Sequence, residues 1–371
     1  MALETDPPRP LNGLRWMVFQ LVERCNLRCS MCYEWGSEGT YHGLGELATL
    51  DYDVFERVAR ECLAERPYFE FFGGEPLLHP RIEDAIRLIR EGGSTLAIPT
   101  NGVLIEEQAE MLVSARPTGL WISLDGPEDV NDAQRGRGVF RRVTRGLDRL
   151  IELRNRQDQT LPRVGVTFVV TPSNHTRIEE MFLDQLDLSR LDDVSIEFQN
   201  FATPEEVDAY AEVVRERFGV ESTPCARGYA QDPAQFADMD VEAIADQITR
   251  IKERCRSLGV RFFSNPRTVD ATNYRRYFDA RWAEMADARS RCAFPWIYAE
   301  VSARGDVTTC HSFYDHAVGN VHEQSLGEIW RGPRMAALRQ HLRKELFSIC
   351  TACCRYYNNS ISSVEDGGSR S

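Results

Sequence analysis

Short apolar runs and stripes of apolar residues three and four apart alternate through residues 16–218. The runs 16–23, 68–72, 95–100, 119–124, 164–170 and 194–199 are rich in β-branched and aromatic residues, as strands are. The stretches 53–65, 80–91, 105–115, 139–156, 176–186 and 204–218 carry helical stripes, for example Phe55, Val58, Ala59 and Cys62. Alternation of this kind predicts parallel strands joined by right-handed helical crossovers. The repeats are too few for a closed barrel. The expected fold class is therefore α/β, an open partial barrel with its chemistry at the carboxyl ends of the strands.

The pattern breaks at both ends. Residues 1–14 are polar and proline-rich and predict a disordered lead-in, with no apolar core for an export signal. The expected barrel occupies 15–218. Residues 219–291 read as a helical connector containing one amphipathic helix, 238–258, then a mixed stretch, 259–291. Residues 292–358 form a second, cysteine-bearing domain, and 359–371 a Ser/Gly-rich disordered tail.

Net charge is −13 over 371 residues, which argues against a nucleic-acid partner, since that affinity rests on basic groups meeting phosphates. A small anionic substrate in a local basic pocket stays compatible with it. No long unbroken apolar run is present, so no membrane span is expected. Eleven cysteines without an export signal point to metal or redox chemistry in the cytoplasm, not to disulfides.

Three of those cysteines, Cys25, Cys29 and Cys32, follow the first apolar run as Cys-x3-Cys-x2-Cys. They can take three corners of a 4Fe–4S cube and leave one iron for another ligand. The alternative is a zinc site or three buried thiols, but no fourth Cys or His follows at zinc spacing. After the second run comes Gly73-Gly74-Glu75-Pro76. Two glycines at a strand end allow close backbone approach or positive φ, and Glu75 places an acceptor suited to a ligand ammonium.

With these two motifs the chain resembles the radical S-adenosylmethionine (SAM) enzymes over roughly residues 15–215. The cysteine run matches the family's cluster loop and Gly73 to Pro76 its "GGEP" motif, which binds the SAM amino group. The resemblance implies a partial (β/α)6 TIM barrel. It also implies a 4Fe–4S cluster that binds S-adenosyl-L-methionine, cleavage to a 5′-deoxyadenosyl radical, and abstraction of a substrate hydrogen atom. An electron donor such as flavodoxin or ferredoxin is implied as a partner. Thr100 and Asn101 resemble the family's "TNG" segment. Ser123 and Asp125 resemble residues near the SAM ribose and carboxylate. Arg135 resembles an arginine that pairs with the SAM carboxylate, a task suited to a guanidinium fork. Asn174 is expected near the ribose or adenine, and Gln199 toward the substrate. Where the family often has an aromatic residue on adenine, this chain has Met31, a polarizable apolar substitute. Tyr33 follows the cysteine and needs a shift to take that place.

The C-terminal cysteines resemble the SPASM/twitch extension of the same family, which carries auxiliary clusters. The full SPASM pattern has more cysteines than the five here. Cys292, Cys310, Cys350 and Cys353 make one ligand set for a second, auxiliary 4Fe–4S cluster, with Cys354 as the substitute for Cys353. A structural zinc site would use the same four thiolates. Cys62 and Cys255 lie on apolar helix faces as packing residues. Cys225 is a candidate hydrogen-atom donor of the kind some radical SAM epimerases use. His311, His316, Tyr314 and Asp315 surround Cys310 and are candidates for contact with a cluster edge or substrate.

The expected function is a radical SAM oxidoreductase. With its auxiliary cluster it would oxidise or epimerise a small sugar- or cyclitol-like natural-product molecule. Only about 14 residues precede the first strand, too few for a leader-binding domain of the kind peptide modifiers often carry. A maturase of a ribosomally made peptide is the alternative. A non-catalytic iron–sulfur carrier or sensor is the alternative of another class, opposed by the Gly73–Pro76 loop and Arg135.

Overall fold

The computed structural model describes residues 11–36, 39–41, 43–310 and 312–357. β1 (Trp16–Val22), β2 (Tyr68–Gly73), β3 (Leu96–Thr100), β4 (Gly119–Ser123), β5 (Arg163–Val170) and β6 (Asp193–Phe198) pair in that order, all parallel. Their ends fall within one residue of those expected. The crossovers are α1 (Tyr52–Leu63), α2 (Ile82–Glu91), α3 (Ile105–Ala115), a short polar α4 (Glu128–Arg135) that no apolar stripe announces, and α5 (Val139–Arg156). α6 (Ile178–Glu180), continued by a π-helical turn at Met181–Gln185, lies between β5 and β6. α7 (Pro204–Phe218), α8 (Pro224–Gly228) and α9 (Val241–Leu258) follow. Among the described residues, no helix is long and apolar enough to cross a membrane.

Two further strands lengthen the parallel run. β7 (Arg261–Asn265) pairs with β6 from within the expected connector. β8 (Tyr298–Val301) pairs with β1 on the other edge. β9 (Asp306–Thr308) and β10 (Gly319–Asn320) continue antiparallel, giving the order β10-β9-β8-β1-β2-β3-β4-β5-β6-β7 and an open sheet. Both added strands are short, five and four residues, and lie outside the strand–helix alternation. Arg261 is balanced by Asp193 of β6, and Glu300 by Gln20 of β1. The cysteine-bearing segment thus joins the barrel sheet directly. The expected lead-in also differs at its end, because Leu11 and Leu14 are buried in the core. The tail expected over 359–371 lies outside the described residues.

Strand alternation separates two faces. Met17, Phe19 and Leu21 belong to the main core with the α1 stripe, Phe19 and Phe55 lying 4.8 Å apart. Trp16 and Val18 instead pack with Phe294 and Tyr298 inside the barrel, against Tyr68, Phe72 and Cys292. Cys62 and Cys255 are fully buried packing residues of the outer core.

Candidate active site

β1 ends in the cysteine loop. Gly73 and Gly74 lie flat against it, with Gly74 N–H donating to the Val22 carbonyl (2.8 Å) and Glu75 N–H to that of Arg24 (3.0 Å). A Cβ on Gly73 would stand 2.3 Å from Val22 O, and one on Gly74 2.4 Å from Arg24 O. Gly73 also has φ +119°, a conformation glycine alone takes readily. The glycines are therefore needed to seat the cysteine loop on the second strand.

The thiols meet polar groups from their own loop, the end of β3 and the end of α4. Asn101 Nδ2 approaches Cys25 Sγ (3.7 Å) and Arg135 Nη1 approaches Cys29 Sγ (4.0 Å). The Leu27 and Trp35 amides donate to Cys25 and Cys32 (3.4 and 3.3 Å). Burial pushes all three thiols up to about 11. Such thiols ionise only beside positive charge, which iron supplies. The donor set and its amide and guanidinium neighbours fit an iron–sulfur cube.

Glu75 is buried, and its two oxygens accept from Leu77 N (3.1 Å), Thr100 Oγ1 (2.8 Å) and Asn101 N (2.8 Å). These bonds brace the loops, and burial lifts its carboxyl to about 7. Asn174 is buried at the end of β5. Its amide donates to Asp125 O and Val169 O and accepts from Thr171 N, so it ties strand ends together. Arg135 and Asp125 form a buried pair (2.6 Å), with the second Asp125 oxygen accepting from Val169 N. Next to Arg135, Gln134 receives the Ser30 amide of the cysteine loop on its backbone carbonyl. Ser123 and Met31 are half-buried, and Pro76 opens a short 3-10 turn capped by Glu75. Tyr33 stacks on Tyr229 at 4.4 Å. Gln199 offers its carbonyl to the Tyr277 hydroxyl.

The second cysteine group is enclosed. Cys292, Cys310, Cys350 and Cys353 line one cavity with Phe294, Phe313, Leu338, Leu342, Phe347 and Ile349. Cys354 does not line it. Its thiol meets that of Cys353, and Arg355 and Glu197 also act on it. Burial raises the Cys292, Cys310 and Cys350 thiols, the last to about 12. Four thiols on one dry cavity fit an auxiliary cube. Among the described residues no three Cys, His, Asp or Glu side chains converge closely enough to hold a single ion. Cys225 is buried with its thiol on the Ser312 carbonyl (3.2 Å), and Asp315 accepts from the Cys225 and Ala226 amides. Tyr314 lies 3.5 Å from Glu34. His316 lines the auxiliary cavity, with burial lowering it to about 4. His311 lies outside the described residues.

The two groups flank β1. Its Val22 end runs into Cys25, and its Trp16 end packs beside Cys292, with Arg355 4.3 Å above the Trp16 ring. The strand between spans about 20 Å. Along it lie residues that sequence reasoning missed. Gln20 and the Tyr298 hydroxyl donate to Glu300, and Tyr41 donates to Gln20. Burial raises Glu34 and Glu300 to about 8 and Glu70 to about 7, with Arg355 opposing the rise at Glu70. The available signal was the even-numbered alternation of Trp16, Val18 and Gln20, or of Tyr68, Glu70 and Phe72, polar where an inner face would be.

Residues 19–186 match the model of the Radical SAM superfamily, and residues 292–354 that of SPASM, an iron–sulfur cluster-binding domain. A tungsten-containing aldehyde ferredoxin oxidoreductase cofactor-modifying protein of Pyrococcus furiosus is 25% identical, over 92% of this chain and 87% of that protein. A pre-heme d1 synthase of Dinoroseobacter shibae is 26% identical, over 94% and 81%. In fold the chain is similar to Streptococcus suis SuiB bound to S-adenosylmethionine, with TM-score 0.61 at 15% identity over 88% of this chain and 68% of that one. The two matched domains imply a 4Fe–4S cluster with SAM and auxiliary iron–sulfur binding.

Proposed function

We propose that this chain, which carries a Radical SAM domain and a C-terminal SPASM domain, is a radical SAM enzyme that oxidises a small-molecule substrate held inside the barrel between two clusters. When bound, the first cluster with SAM supplies a 5′-deoxyadenosyl radical, and the auxiliary cluster supplies an electron acceptor. In this reading Cys25, Cys29 and Cys32 hold the first cluster, and Cys292, Cys310, Cys350 and Cys353 the second. Gly73 to Pro76, Thr100, Asn101, Ser123, Asp125, Arg135, Asn174 and Met31 form the SAM pocket. A cytoplasmic flavodoxin or ferredoxin is the proposed reductant.

The carrying observation is the acid-lined interior between the two cysteine groups. Loss of a hydrogen atom and an electron from a carbinol leaves a proton to remove. Glu70, near 7, and Glu300, near 8, titrate close to working pH, where a proton acceptor is most effective. The buried Tyr298 ring, the half-buried Tyr68 and the Trp16 wall keep water from them. Epimerisation is the branch in which Cys225 would return a hydrogen atom, and the commitment of its thiol to Ser312 favours oxidation.

The names of the two near-full-length relatives, a cofactor-modifying protein and a heme synthase, favour a non-peptide substrate. Peptide modification is the second reading, favoured by fold likeness to SuiB, a structure of which is bound to precursor peptide SuiA. Anaerobic incubation with dithionite and SAM tests the class. Formation of 5′-deoxyadenosine above a Cys29→Ala control is expected, and its absence sinks the reading.

A further inference from the structure

Two buried side chains in the auxiliary cavity have no partner. Thr309 is 1% exposed and its hydroxyl meets no hydrogen-bonding group. His316 is 8% exposed and neither ring nitrogen meets one. Both line the cavity shared by Cys292, Cys310, Cys350 and Cys353. Leaving such a group unsatisfied costs about 1–3 kcal/mol, so each calls for a reason.

The protein around them offers none. Thr308 accepts from the Cys310 amide, and Ser312 meets the Cys353 thiol at 3.1 Å. His316 packs on the Phe218 ring at 4.5 Å. The wall nearby is Leu338, Leu342, Leu346 and Phe347, which carry no side-chain acceptor. An iron–sulfur cube in this cavity would bring acceptors, its sulfides and thiolate sulfurs.

We propose that Thr309 and His316 donate hydrogen bonds to sulfur atoms of the auxiliary cluster and hold its reduction potential up. The added electron increases negative charge on the sulfurs, so a donor aimed at them stabilises the reduced form more than the oxidised form. Both act as positioning and tuning residues and touch no substrate. The inference rests on the reading that these four cysteines carry the cluster.

An EPR-monitored redox titration of the fully loaded protein tests it. The variants are Thr309→Val and His316→Phe, with Thr309→Ser and His316→Gln as partners that keep a donor. Iron analysis first establishes that each is loaded, and Thr309→Ala and His316→Leu replace any that is not. Val and Phe are each expected to lower the reduced-to-oxidised ratio of the auxiliary cluster at a fixed poise about tenfold, 59 mV for a one-electron couple. Ser and Gln are expected to stay near the parent, and the SAM-binding cluster not to move. An unshifted auxiliary potential in both loaded donorless variants overturns the inference, as does an equal shift of both clusters. A parent protein with iron for only one cube overturns the underlying ligand assignment instead, before any variant is compared.

Discussion

The cysteine groups at the two ends of β1 are gathered in different ways. The first is one eight-residue loop, Cys25 to Cys32, faced by an amide, a guanidinium and backbone N–H groups. The second gathers Cys292, Cys310, Cys350 and Cys353 from separated stretches into a cavity walled by Phe294, Phe313, Leu338 and Phe347, with Arg291 and Arg355 also on its lining and the Phe313 and Arg355 amides donating to Cys310 and Cys353 (3.4 Å each). A site that must admit a zwitterionic ligand needs polar groups preorganised at its mouth. A site that only exchanges electrons is better kept dry, because burial and hydrogen bonds to sulfur set its potential. In the proposed reading the loop at the strand mouth serves the radical generator and the enclosed cavity the electron acceptor.

The comparison breaks most severely at Gly73. Gly73→Ala forces a methyl to 2.3 Å from Val22 O at φ +119°. We expect a loss of more than about 4 kcal/mol in denaturant titration, the range of exceptional single changes. Gly219→Ala, at φ +70° with nothing within 4 Å, is expected to lose about 1 kcal/mol. Equal losses would remove the case that Gly73 seats the cysteine loop.

Arg135→Leu comes next. It leaves Asp125 buried beside Cys29 without its cation, a change expected to cost about 3–5 kcal/mol. SAM affinity, read by isothermal titration of the loaded protein, should fall about 10–100-fold. Unchanged affinity would place Arg135 outside the SAM pocket.

The acids between the two sites give a pH signature. Glu34 and Glu300 are raised from 4.5 to about 8 by burial. The folded chain keeps protons that the unfolded chain releases, so their contribution is full below 4.5 and is lost as pH rises to about 8. The thermal midpoint should fall across that window, and Glu34→Gln with Glu300→Gln should flatten the fall. A parent slope that the double variant leaves intact contradicts the assignment. The smallest effect is expected at Cys354. Cys354→Ala should keep the auxiliary iron that Cys353→Ala loses, about four atoms per chain by iron analysis.

Legibility followed locality. β1 to β6 were readable because each alternates with a striped helix, although Glu70 and Glu197 fall inside β2 and β6. β7 and β8 were not, since they are only five and four residues long and lie outside that alternation, with Arg261 and Glu300 meeting Asp193 and Gln20 only across the sheet. The first cysteine loop and Gly73-Gly74 were readable as contiguous motifs. The inward turn of Glu75 and Asn174 was not, because their partners come from neighbouring strand ends. The placement of Cys353 over Cys354 on the cavity depends on a helical turn that sequence spacing leaves undetermined.

The central claim is that two independent clusters occupy the two ends of β1. Metal analysis with EPR of the Cys25→Ala/Cys29→Ala/Cys32→Ala protein, reconstituted anaerobically and reduced, tests it most directly. The account predicts about four irons per chain, no stoichiometric zinc, and a 4Fe–4S signal unchanged by SAM. Zinc in place of iron, or a chain without either, would contradict it.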